Sequence, residues 1–220
     1  MNLLNELLRT DAPVLPALAV TQFWLHLGWG IVLAWVGAGL TAGLSPRKGV
    51  QLGVAAVLGV SAGFSGAWAP VYWLGLAFQT PSVLTVLLCA VALARRFLVR
   101  AYRLVPGVSF PGPIMAAGIL LGWLLLLDSF ALLPWQLYAQ GFSVVSPVVL
   151  VILILAPWAL RSRAKGLSPQ ALCAVAAVLL FTALRLPSGN VWDAVLDPWL
   201  WLTLHVRLVW AWKGQRRSMG

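Results

Sequence analysis

Seven long apolar runs separated by short polar breaks set the pattern of the chain: 20–44, 50–68, 71–94, 114–133, 142–160, 171–186 (reaching back to Pro169) and 195–212. A helix needs about 20 apolar residues to cross a bilayer, and none of the runs alternates as a strand would. The breaks carry helix punctuation. Ser168-Pro169 and Asp197-Pro198 pair a side-chain cap with a proline at the first helical position, where no N–H is needed. The pattern predicts an all-α fold, a polytopic transmembrane bundle of seven spans in one domain over residues 1–220.

The third run is interrupted by Thr80-Pro81. Proline removes a helical hydrogen bond and clashes with the preceding turn. The expectation is one kinked or broken span, the alternative being an interfacial segment over 70–78 followed by a short tilted helix.

Charge orients the bundle. Alternate breaks hold Arg47 and Lys48; Arg95, Arg96, Arg100 and Arg103; Arg161, Arg163 and Lys165; and Lys213, Arg216 and Arg217. Of the 15 Lys and Arg, only Arg9, Arg185 and Arg207 fall elsewhere, and none of the 5 acidic residues lies in the basic breaks. Cytoplasmic loops retain basic residues, so the N-terminus is expected outside and the C-terminus in the cytoplasm. The opening residues, MNLLNELLRTDAPVLP, lack the basic start of a secretory signal, which predicts that the first run stays as a helix.

Composition changes the picture in one respect: it excludes a soluble domain. The 220 residues are 61% hydrophobic and only 9% charged, with mean hydropathy +0.93; soluble domains carry about a quarter charged residues. The net charge of +10 then points to anionic lipid headgroups on the cytoplasmic side rather than to nucleic acid. Arg96, Arg100 and Arg103 recur at helical spacing as candidate headgroup contacts. The style of the chain suits a bacterial inner membrane.

Small residues at every fourth position let helices approach closely in lipid. The second run carries the longest such stripe, Ala55, Gly59, Gly63 and Ala67; shorter ones are Gly39 and Gly43, and Gly118 and Gly122. This predicts a close helix contact, within the bundle or with a protein partner in the membrane. The 13 tryptophans fall mostly near run ends, as interfacial belts do.

Polar groups inside the runs are the candidates for chemistry: Gln22 and His26, Asp128 and Ser129, and Asp197, His205 and Arg207. By helical rise His26, Asp128 and Asp197 lie at one depth, about 7–9 Å outside the midplane. This suggests a pocket in which Asp128 pairs with His26, with Asp197 and Gln22 close by, for a proton, a cation or a polar headgroup. The structural alternatives are that Asp197 caps its helix and His26 donates to a neighbouring carbonyl. His26 and His205 differ in depth by about 12 Å, too far to share a haem iron, and no metal or other cofactor is expected. Cys89 and Cys173 have no C-x-x-C partner and read as packing residues. No nucleotide loop, nucleophile elbow or catalytic dyad is present.

Three functions fit these residues. The first is a non-enzymatic scaffold or accessory subunit of a larger envelope, secretion or polymer-export assembly. The second is a small transporter or channel for protons, cations or a small solute, built on Asp128 and the break at Pro81. The third is an intramembrane enzyme on lipid-linked substrates, with Asp128, His26 or His205 as acid or base.

Overall fold

The computed structural model describes residues 13–98, 112–160 and 168–217. Among them every regular element is an α-helix. In chain order these are α1 (Leu18–Leu44), α2 (Lys48–Ser61), α3 (Pro70–Phe78), α4 (Val83–Phe97), α5 (Gly112–Ser129), α6 (Leu137–Gln140), α7 (Val145–Leu160), α8 (Pro169–Leu184), α9 (Val191–Val195) and α10 (Pro198–Arg217). Arg100, Arg103, Arg161, Arg163 and Lys165 lie outside the described residues.

α1 is the one helix among the described residues that is long and apolar enough to cross a membrane by length and composition. Its 27 residues rise about 40 Å. α2, α8 and the stretches Ile114–Ser129 and Val145–Ala156 are apolar but shorter. Large apolar side chains face outward all over the molecule; Trp68 is 99% exposed, Leu44 86% and Trp210 70%.

The helix boundaries depart from the runs in informative ways. α2 stops at Ser61, seven residues before its run ends. The Ser61 hydroxyl turns back to the Leu58 carbonyl at 2.7 Å, and Gly66 takes a φ of 93° that only glycine adopts freely. Gly63 and Ala67 of the expected stripe therefore lie beyond the helix. α5 ends at Ser129, with Ala131 in a positive-φ turn before Pro134. The third run is split outright, into α3 and α4. Gln79, at φ 59°, reverses the backbone, and Ser82 restarts it as N-cap, its hydroxyl accepting from Thr85 N–H at 3.1 Å.

α1 packs most extensively on α2 and also meets α3 and α4; α4 leads on to α8 and α9, α8 to α7, and α10 to α5. The remaining stripe residues serve the first contact. Gly30 on α1 faces the Gly59 backbone, so that a Cβ there would lie 3.1 Å from the Gly59 carbonyl oxygen, and Gly59 in turn meets Ala34. Ala55 is buried. Gly118 and Gly122 face Leu204 and the Trp201 ring across the α5–α10 contact, whereas Gly39 and Gly43 face nothing within 4 Å. The main core lies where α1, α4, α7, α8 and α9 converge, around Trp24, Val83, Val86, Val178, Phe181 and Val191. A second cluster joins Leu88, Met115, Cys173, Leu200 and Leu204.

Candidate functional site

The polar groups inside apolar segments are placed by the ends and breaks of the helices. Unpaired backbone groups are costly away from water, and the break at residues 79–82 exposes several. Two tryptophans on α1 supply donors: Trp29 Nε1 donates to the Gln79 carbonyl at 2.9 Å, and Trp24 Nε1 to the Pro81 carbonyl at 3.2 Å. Pro81 and Ser82 are fully buried. Gly28 makes room for the proline; a Cβ there would meet Pro81 Cγ at 2.8 Å.

Asp197 completes the break from the other side. As N-cap of α10 its Oδ1 accepts from Leu200 N–H at 2.7 Å. Its Oδ2 accepts from the Ser82 N–H at 2.8 Å, across 115 residues of sequence. One buried carboxylate therefore serves the N-terminal ends of two helices, α4 and α10, where orphan N–H groups and the helix dipoles both favour a negative charge.

His26 closes another helix end. Its Nδ1 lies 2.6 Å from the Ala62 carbonyl oxygen, one of the acceptors left over at the C-terminus of α2. A carbonyl only accepts, so Nδ1 carries the hydrogen and donates. Asp128, in the last turn of α5, accepts from the Tyr138 N–H through Oδ2 at 2.7 Å, meeting a free donor in the first turn of α6. Its other oxygen, Oδ1, is buried and has no hydrogen-bond partner. Gln22 is exposed. Asp128, His26, Asp197 and Gln22 are thus not gathered by hydrogen bonds into a shared pocket: the first three are each engaged with backbone at a different helix end. His205 donates through Nδ1 to the Trp201 carbonyl at 2.9 Å and stacks edge-on with the Trp201 ring at 4.8 Å. Arg207 lines a cavity of about 340 Å³ among α1, α3, α4 and α10, together with Thr85 and Thr203.

A clasp joins the segment after α5 to the segment before α10. Asn190, fully buried, donates to the Tyr138 carbonyl at 2.9 Å and accepts from Trp192 N–H at 2.9 Å. Trp192 Nε1 donates to the Leu137 carbonyl at 2.9 Å. The Tyr138 hydroxyl donates to Asp193 Oδ2 at 2.8 Å, and the Ser188 hydroxyl donates to the same oxygen at 2.5 Å. Burial, the Asp193 charge and this hydrogen bond raise the Tyr138 phenol above its ordinary range. The only local signal was the Asn-Val-Trp-Asp sequence itself, a cap before a short helix.

At the opposite end of α4, Arg96 gives both Nε and Nη2 to Gln51 Oε1, at 3.0 and 2.9 Å. Gln51 is buried and fixed through its Nε2 to the Ser45 carbonyl at 2.8 Å. A groove of about 890 Å³ is bounded by α1, α2 and α4; among the described residues its lining is apolar except for His26. Among the described residues no cluster of three or more His, Cys, Asp or Glu is placed to hold a metal ion.

Comparison with known proteins supplies no counterpart for this arrangement: no family model, curated protein or solved structure matches the chain.

Proposed function

We propose that the chain is a seven-span integral membrane protein of a bacterial inner membrane, N-terminus outside and C-terminus cytoplasmic. In this reading it acts as a non-enzymatic scaffold or accessory subunit of a larger envelope, secretion or polymer-export assembly. One observation carries the non-catalytic part. The polar side chains in the apolar segments are spent on backbone: Trp24, Trp29 and Asp197 on the break at 79–82, and His26 on the end of α2. Such bonds tie the helices together, and among these four side chains none is bonded to another ionisable group. Support for the lipid setting comes from the outward-facing Leu, Val and Trp side chains and from the alternation of basic breaks.

Two experiments test it. Extraction in mild detergent should return the chain with fixed membrane partners; recovery as a lone, fully active species overturns the scaffold role. Single cysteines at positions 47 and 163 should label from the same, cytoplasmic side, against a background lacking the buried Cys89 and Cys173. Labelling from opposite sides overturns the topology.

A second reading, a small transporter for protons or cations, is favoured by the orphaned Oδ1 of Asp128. A buried carboxylate oxygen without a partner is a place where a proton or cation gains a bond. Reconstituted vesicles decide it: Asp128→Asn should abolish flux, and unchanged flux removes this reading.

A further inference from the structure

The groove between α1, α2 and α4 and the arginine at one end of it belong together. The groove is lined by apolar groups such as Leu27, Gly30, Ala56, Ala90, Ala94 and Phe97. Its one polar lining residue among those described, His26, is already tied to the Ala62 carbonyl. The small side chains on its walls keep it wide. Along α1 it runs from Phe23 to Ala34, a rise of about 17 Å. That is close to one leaflet of a hydrocarbon core of about 30 Å and well short of the full crossing that a docked helix would make.

A charge flanks one end of the groove. The Arg96 guanidinium sits 6.0 Å over the Phe97 ring, and Phe97 lines the groove. Arg96 is held there by a neutral acceptor, Gln51, which is itself anchored to Ser45. This fixes the position of the guanidinium without neutralising it. A planar cation held in place is suited to phosphate oxygens. An apolar trough one leaflet deep, ending at a fixed cation, complements a molecule with a long apolar tail and an anionic head.

We propose that this groove is a binding site for an anionic phospholipid, with an acyl chain along α2 and the phosphate at Arg96. The site rests on the membrane reading above and gives that reading a defined lipid partner. The small-residue face of α2 then serves two purposes, seating α1 on one flank and an acyl chain on the other.

The test is native mass spectrometry of the detergent-purified full chain, given phosphatidylglycerol or phosphatidylcholine with identical tails. Phosphatidylglycerol should be retained in preference. Arg96→Gln should lower its retention about tenfold, the loss of one charge-assisted hydrogen bond, and lower that of phosphatidylcholine, whose phosphate is offset by its own choline cation, by less. Ala94→Phe fills the trough and should lower retention of both lipids; Ala90→Val carries this arm if the larger side chain prevents folding. Wild-type retention of phosphatidylglycerol in Arg96→Gln, or of both lipids in the filled variant, overturns the site. So does a partner protein that crosslinks at position 94 and excludes lipid. Recovery of the chain from the soluble fraction without detergent would instead overturn the membrane reading itself.

Discussion

Asp197 shows how much one side chain does in this molecule. The Asp-Pro pair predicts a cap for α10, and the cap is present at 2.7 Å. Its second bond, to Ser82 at 2.8 Å, has no local signature, because its partner is distant in sequence and meets it only in the folded chain. Asp197→Ala removes both acceptors and leaves the buried Ser82 N–H unpaired. It should lower stability by about 2–4 kcal/mol, read as a fall in Tm in detergent. Asp197→Asn, which keeps one oxygen, should fall between it and the native chain. His26 was legible as a polar group in an apolar run and as a donor to some carbonyl; that the carbonyl belongs to the end of α2 was not, since it depends on where α2 stops. Tyr138 has a pH consequence. Its folded-state phenol titrates above the usual 10, so its contribution is fully present below pH about 10, where folded and unfolded chains are both protonated, and is lost as pH rises beyond that. Absorbance titration should show a late tyrosinate that is absent in Tyr138→Phe.

At the scale of elements, periodicity located the helices well and their ends less well. Apolar run length cannot distinguish helical residues from the apolar turn residues 62–69 after α2. The proline at 81 marked the split of the third run, because the loss of an N–H is a property of the residue alone. The tryptophans that make the split tolerable are three-dimensional facts. Small-residue spacing identified the right helix for a close contact but extended the stripe too far, to Gly63 and Ala67. The working contact is Gly30 on Gly59, and it predicts that Gly30→Val, forced against a backbone carbonyl 3.1 Å from its Cβ, costs about 1–3 kcal/mol. Gly39→Ala, facing open space, should be neutral or slightly stabilising by helix propensity. Thermal melts of the two variants in the same detergent check the contrast.

For the molecule as a whole, the all-helical architecture was readable from the runs, whereas the hydrogen bonds of Asp128, His26 and Asp197 run to separate backbone groups rather than to one another. Equal depth along helix axes says nothing about position around them, and Asp128, His26 and Asp197 each bond a backbone group at a helix end. The Ser82–Asp197 bond also bears on how the chain is made. The N-terminal end of α4 is complete only when a residue 115 positions later has been synthesised and threaded into place, so the front half must wait, half-closed, on the ribosome's later output. Nascent chains halted at residue 190 should be cut by protease around residues 79–82, and those extended past residue 210 should resist. Assembly of this protein is then a matter of a late helix locking an early one.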